Sequence, residues 1–230
     1  MLAHKPSARL RLAGVLAWVL AVCLTPGQAG ARHHNRHRDT AASSIAGQFD
    51  YYLLSLSWSP SYCLTHTEDR AQCSKGYGFV LHGLWPQNAD GGYPENCAPD
   101  APLPPVAEQR GSTLFPSARL MQHEWQRHGS CTGLDALADF NTADRALAAV
   151  RIPAMFEAPR ANLSMRAEEI IAAFRAANPG LGEDGLAVAC ARADLSEVRV
   201  CLGKDLALTA CGRGVRSACP DVALRIPAAR

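Results

Sequence analysis

The chain has 230 residues, which is enough for one domain with a sizeable buried core, and it shows no internal repeat. Three of its 23 basic residues and none of its 21 acidic residues lie in residues 1–29, so residues 30–230 carry a formal net charge of −1. This balance excludes a protein that attracts polyanions through its overall charge, and any nucleic acid must be held by local groups.

Residues 1–29 are predicted to be a cleavable secretory signal. Cations precede an apolar run from Leu12 to Leu24, and small residues surround Gly27 and Ala29. A membrane span needs about 20 residues, so the run is too short, and we expect no membrane association after cleavage. Cys23 resembles the acylated cysteine of a lipoprotein signal, but Val22 is a poor fit before it. We therefore expect a secreted or periplasmic protein.

Residues 30–47 are polar, basic and small, which predicts a flexible N-terminal extension. The histidines in it, His33, His34 and His37, could bind metal or nucleic acid, but a solvated leader is the commoner meaning of such a tract. Residues 48–230 are then expected to form one folded domain.

That domain opens with a predicted strand in which Leu54, Leu56 and Trp58 alternate with serines as far as Pro60. A second strand is predicted within residues 77–86. Residues 93–105 are rich in proline, so we expect an ordered loop that is fixed through Cys97.

Three helices are predicted next, at residues 117–128, 134–150 and 164–178. The last has the clearest apolar stripe, which includes Ile170 and Phe174. Alternating apolar residues return between residues 186 and 202, which indicates further strands. Strands at both ends of the domain with helices between them predict an α+β fold.

Eight cysteines remain beyond the signal, an even number in an oxidising compartment, which predicts four disulfides. They are Cys63, Cys73, Cys97, Cys131, Cys190, Cys201, Cys211 and Cys219. No two are separated by only two residues, so zinc binding has no support. The spacing does not choose among the many possible pairings.

The segment QHEWQRHGSC at residues 122–131 has the richest chemistry. It differs from the HExxH helix of zinc proteases, because His123 and His128 are five residues apart and about 140° apart around a helix. His123, Glu124, Arg127 and His128 nevertheless share one face. A surface ion pair does not account for four such groups, so we interpret this face as a site for proton transfer.

Two local effects are expected to act on His128. Glu124 is its i,i+4 neighbour, so the carboxylate is predicted to orient the imidazole and raise its pKa. The backbone dipole at the end of the helix also favours a cation there.

The segment GFVLHGLWPQ places His82 in an apolar strand, where a lone histidine is more often part of the core than a catalyst. Its combination with the second segment is more specific. HGLWP at residues 82–86, followed by HEW at 123–125 and HGSC at 128–131, resembles the paired signature of the ribonuclease T2 family. WSPSYC, YPENC and DLSEVRVCLGKD extend this resemblance over most of residues 48–230.

The resemblance implies an α+β fold with a central antiparallel sheet, packed helices and four disulfides. It also implies an endoribonuclease that needs no metal or other cofactor. The ribose 2′-OH of single-stranded RNA attacks the adjacent 3′-phosphate, which leaves a 2′,3′-cyclic phosphate. DNA, which lacks this hydroxyl, should be inert, and RNA is the expected partner of a monomeric enzyme.

Site roles follow from the same resemblance. His82 and His128 share the acid and base work, with His128 favoured as the base, and Glu124 assists at the phosphorane. His123 and Arg127 bind phosphate. Arg127 stands where the family usually has lysine; arginine keeps the charge but does not give up a proton at working pH.

The resemblance also implies a base site, in which Trp85 and Tyr93 sandwich a base. Gln87 replaces an acidic residue that helps some members to select adenine, so we predict low base specificity. The implied disulfides are Cys63–Cys73, Cys97–Cys131, Cys190–Cys219 and Cys201–Cys211. The alternative function is an inactive relative that binds RNA or a protein, but the presence of His82, Glu124 and His128 speaks against it.

Overall fold

The computed structural model describes residues 45–229. The predicted signal and residues 30–44 of the predicted extension lie outside this range. Residues 45–47 were also predicted to be flexible, but Gly47 N donates to Cys131 O at 2.8 Å, so the folded part begins slightly earlier than expected. Within the described range, no helix has the length and apolar character that a membrane crossing requires.

Six strands form one sheet in the order β2–β1–β5–β6–β3, and β4 also pairs with β5. The strands are β1 (Tyr51–Trp58), β2 (Phe79–Gln87), β3 (Leu163–Met165), β4 (Leu186–Ala191), β5 (Asp194–Leu202) and β6 (Leu224–Ile226). The pairs are antiparallel except β5 with β6, which run parallel at Asp194 and Arg225. The sheet is therefore mixed rather than wholly antiparallel.

Helices account for much of the remaining chain. They are α1 (Ser59–Cys63), α2 (Arg70–Cys73), α3 (Pro105–Gly111), α4 (Ala118–Arg127), α5 (Ala136–Ala149) and α6 (Ala167–Ala177). The predicted α+β class is confirmed. Helices α1, α2 and α3 were not predicted, and proline at the first or second position of α1 and α3 suits a helix start because no N–H partner is needed there.

Side-chain caps set the start of α4 and α5. Ser117 accepts a hydrogen bond from Leu120 N at the start of α4, and Asp135 accepts one from Ala138 N at the start of α5. The third helix begins later than predicted, because Ser164 is paired with Arg225 in the short β3–β6 ladder.

The two faces of β1 have different neighbours. Leu54, Leu56 and Trp58 are fully buried in the main core, as the alternation predicted. Tyr51 and Leu53 point to the opposite face. Ile170 and Phe174 of α6 are also fully buried in the main core, and each contributes about 1.5–3 kcal/mol to stability.

Four disulfides link the described residues, in the same pairs that the family resemblance implied. The Cys97–Cys131 bond joins the proline-rich loop to a 3₁₀ turn, Gly129–Cys131, directly after α4. Asn96 N also donates to Arg127 O at 2.8 Å. The loop is therefore held against the end of α4.

Candidate active site

A β-bulge in β2 determines the direction in which the His82 side chain points. Gly83 pairs with Ser55 of β1, whereas Leu81 pairs with the next residue, Leu56, so His82 has no partner on β1. The bulge shifts the alternation of the strand by one residue. His82 and Trp85, three residues apart, consequently face one cavity, although a regular strand would place them on opposite faces.

Two residues that were not predicted from the sequence, Glu197 and Ser57, contact His82 at Nδ1. Its Nδ1 lies 2.7 Å from Glu197 Oε1 and 3.1 Å from Ser57 Oγ. Burial lowers the pKa of His82, but the hydrogen bond to Glu197 and the charges of Glu124 and Glu197 outweigh it and raise the pKa above 6.5. These contacts favour the charged imidazole, and Nε2 lies on the side of Glu124.

Glu197 belongs to β5, where it is paired with Ser57 of β1. Burial raises its pKa, but the hydrogen bond from His82 and the charges of His82 and Arg199 hold the pKa at about 2. Arg199 donates to Glu197 Oε2 at 2.8 Å, and its guanidinium lies 5.5 Å from the centre of the Trp85 ring. The sequence contains a pattern that could have identified them, because Glu197 and Arg199 alternate with the buried valines Val198 and Val200 and therefore share the other face of β5.

Helix α4 presents the predicted face to the same cavity. Met121 and Trp125, one turn apart, are buried in the core and fix the rotation of the helix. His123, Glu124 and Arg127 consequently border the cavity, and so does His128, which caps the helix.

Glu124 of α4 contacts two residues of β2, His82 and Trp85. Its Oε2 accepts a hydrogen bond from Trp85 Nε1 at 2.6 Å, and its Oε1 is 3.6 Å from His82 Nε2. Burial raises its pKa to about 7, although the His82 charge and the Trp85 hydrogen bond oppose this. Both protonation states of Glu124 are therefore accessible near neutral pH.

The prediction that Glu124 orients His128 and raises its pKa is wrong. Glu124 contacts His82 and Trp85 instead, and His128 Nδ1 is buried with no hydrogen-bond partner in residues 45–229. Burial, followed by the charges of Arg127, His123 and His82, lowers the pKa of His128 to about 3. The local helix effects are outweighed, and His128 is neutral over most of the pH range.

The predicted phosphate-binding pair lies beside these groups. Arg127 forms an ion pair with Glu95 of the proline-rich loop, in which Arg127 Nη2 and Glu95 Oε2 are 2.6 Å apart. Burial lowers the pKa of His123, helped by the charges of Arg127, His82 and Arg119, which favours the neutral imidazole with one N–H donor.

The aromatic residues that are predicted to bind a base lie next to His128. The Trp85 ring lies 5.1 Å and the Tyr93 ring 5.8 Å from the ring of His128, measured between centroids. Tyr93 is 39% exposed, whereas Gln87 is only 6% exposed and donates to Pro86 O at 3.1 Å. All eight predicted site residues border one cavity of about 450 Å³: His82, Trp85, Gln87, Tyr93, His123, Glu124, Arg127 and His128.

The sequence is similar to those of known ribonucleases. The model of the Ribonuclease T2 family matches residues 49–211. A protein from Aeromonas hydrophila named ribonuclease is 52% identical over 93 residues, which are 40% of this chain and 42% of that protein. A probable ribonuclease of Haemophilus influenzae is 30% identical over 182 residues, 72% of this chain and 62% of that one. The chain thus spans about half the length of these relatives.

Solved structures show the same fold. An RNase-related protein from Calystegia sepium has a TM-score of 0.64 at 22% identity, over 79% of this chain and 98% of that one. RNase NT in complex with 5′-AMP has a TM-score of 0.56 at 22% identity, over 78% and 98% of the two chains. Because the family model covers most of the folded domain, including both histidine segments, this chain belongs to the ribonuclease T2 family.

Proposed function

We propose that the protein is an endoribonuclease that cleaves single-stranded RNA by transphosphorylation and leaves 2′,3′-cyclic phosphate ends. The proposal depends on one observation: two histidines, His82 and His128, border the same cavity and have pKa values shifted in opposite directions. The pKa of His82 is raised, and the pKa of His128 is lowered. One can donate a proton while the other accepts one, which this reaction requires.

The two histidines have complementary roles in the proposed reaction. His128, neutral above about pH 3, accepts the proton of the ribose 2′-OH as that oxygen attacks the phosphorus. His82 donates a proton to the 5′-oxygen as the P–O5′ bond breaks. Glu197 is a positioning residue, since it holds His82 Nδ1 and leaves Nε2 to act on the substrate. Residues of the protein supply both proton transfers, so we propose a reaction without metal or other cofactor.

The remaining side chains stabilise the phosphorane. A protonated Glu124 can donate a hydrogen bond to a phosphoryl oxygen, and its pKa of about 7 keeps that form populated at mildly acidic pH. Arg127 and His123 add a cation and an N–H donor from the same helix face.

We predict that kcat/KM falls as the pH rises through the raised pKa of His82, because the acid then loses its proton. Glu197→Gln removes the charge and the strongest partner of His82. The alkaline limb should therefore move to lower pH, while the acidic limb set by His128 stays in place. The measurement is kcat/KM against pH for wild type, Glu197→Gln and the exposed control Glu183→Gln. An unmoved alkaline limb in Glu197→Gln would contradict the role of His82 as the acid.

Low base specificity is predicted as well. Stacking on Trp85 and Tyr93 accepts any base and is worth about 1–3 kcal/mol per base. Gln87 is nearly buried and donates to the backbone, so it adds little selection. Rates on the full set of dinucleoside phosphates should lie within about one to two orders of magnitude, and cleavage of a single member of the set would refute this.

We also propose that the protein works as a monomer outside the cytoplasm, in the periplasm or the medium. Four disulfides support an oxidising compartment. Fractionation of cells, with N-terminal sequencing of the product, would test both the compartment and cleavage near residue 30.

The proposed activity is tested with oxidised protein, a short single-stranded RNA and its all-deoxy equivalent in excess EDTA. We expect RNA products with cyclic phosphate ends and intact DNA. Failure of a correctly disulfide-bonded sample to cut RNA would favour the alternative, an inactive relative that binds RNA or a protein. Activity that EDTA abolishes would indicate a metal-dependent hydrolase.

A further inference from the structure

A loop near the C-terminus adds two arginines to the wall of the active-site cavity. Arg213 and Arg216 border the cavity together with Gly214 and Val215. Neither arginine forms an ion pair with an acidic residue of the described part of the chain, whereas Arg127 is paired with Glu95. Arg199, the fourth arginine of the wall, is paired with Glu197. The loop therefore supplies cations that no carboxylate neutralises.

The backbone of this loop is fixed on both sides. Disulfides at Cys211 and Cys219 anchor its two ends to β5 and β4. Between them, Arg213 N donates to Ala89 O at 2.8 Å, and Ser217 Oγ accepts from Val188 N at 2.9 Å. A fixed backbone lowers the entropy cost of using the two arginines to bind a ligand.

The loop lies next to the base site. Ala89, which accepts the hydrogen bond from Arg213 N, lies in the turn that connects Gln87 to Tyr93. Gly91 in that turn has φ +102°, and a Cβ there would lie 3.1 Å from Arg213 O, so the two segments approach closely. Val215 packs on the same apolar cluster as Trp85.

We infer that Arg213 and Arg216 bind the phosphate on the 5′ side of the nucleotide whose base stacks on Trp85 and Tyr93. The inference rests on the proposed function and extends the substrate to RNA chains longer than a dinucleotide. Paired guanidinium groups suit a phosphate dianion or diester, because each offers two parallel donors with a fixed charge. Such a local subsite is what a chain with a net charge of −1 beyond residue 29 needs to hold a polyanion.

The test compares adenosine 3′-phosphate with adenosine 3′,5′-bisphosphate, two ligands that differ only in the 5′-phosphate. Binding to the oxidised, full-length protein is measured by calorimetry at fixed low salt. We expect the wild type to bind the bisphosphate about tenfold more tightly, and Arg213→Ala/Arg216→Ala to bind both ligands about equally. The matched control is Arg70→Ala/Arg160→Ala, which removes two exposed arginines outside the cavity and should keep the wild-type preference.

The outcomes separate the subsite from the proposed function. Equal affinity of the wild type for the two nucleotides, or a preference that survives in Arg213→Ala/Arg216→Ala, would overturn the subsite while leaving the catalytic site intact. Loss of the preference in the control as well would assign it to overall charge and would also overturn the subsite. Failure of adenosine 3′-phosphate to bind at all would count against the proposed function itself.

Discussion

His82→Ala and His128→Ala are each expected to lower kcat/KM for RNA by about 10²–10⁴-fold, the usual contribution of a positioned acid or base. The two residues act in one step, so the double variant should be only slightly slower than either single variant. The measurement is steady-state cleavage of a dinucleoside phosphate, with the thermal midpoint recorded for each protein.

The matched control for these variants is His66→Ala. His66 stacks on Tyr62, with ring centroids 4.0 Å apart, and it does not border the cavity. Because His82→Ala leaves Glu197 Oε1 without its hydrogen-bond partner, His82→Asn serves as a second variant that keeps a polar group near the carboxylate. A folded His82 or His128 variant that retains a tenth of the wild-type rate would contradict the proposed roles.

Gly83→Ala is expected to lower kcat/KM by about 10²-fold, because a single methyl group would enter the centre of the site. A Cβ on Gly83 would overlap the Glu124 carboxylate and the Trp85 indole nitrogen, and it would lie 2.9 Å from Glu124 Cδ. The hydrogen bond between Glu124 and Trp85 would be broken, and Glu124 would move away from His82. Overpacking of this kind also costs about 1–3 kcal/mol of stability.

The control for Gly83→Ala is Gly182→Ala, at a position where an added Cβ meets no atom within 4 Å. Rates, thermal midpoints and tryptophan fluorescence should be compared for both variants at a temperature where both are folded. Wild-type activity in Gly83→Ala would show that the contact between Glu124 and Trp85 has no catalytic importance.

Features that depend on neighbouring residues could be predicted from the sequence. The helix around residues 117–128 and the cavity-facing side of that helix follow from a periodicity that Met121 and Trp125 enforce by burial. The alternation in β1 likewise identified the residues of the core. The same periodicity predicted a start for α6 that is three residues too early, because Ser164 pairs with the distant strand β6 and local sequence does not show such a pairing.

The errors and omissions in the site come from contacts between distant segments. Glu197 is 115 residues from His82, and the bulge at His82 is defined only by the register of β2 against β1. The helix alone suggested Glu124 as the partner of His128, but β2 brings His82 and Trp85 to that carboxylate. The low pKa of His128 arises partly for the same reason, since burial and the charge of His82 from β2 act together with the cations of its own helix, Arg127 and His123.

The most direct test of the account uses a DNA oligonucleotide that contains one ribonucleotide, incubated with the oxidised protein in excess EDTA. If the ribose 2′-OH is the nucleophile, the oligonucleotide is cut at one bond only, 3′ to the ribonucleotide, and the 5′ fragment ends in a 2′,3′-cyclic phosphate. Cleavage at other positions, or a 5′ fragment whose new end is a 3′-hydroxyl, would show that water rather than the 2′-OH attacks and would contradict the account.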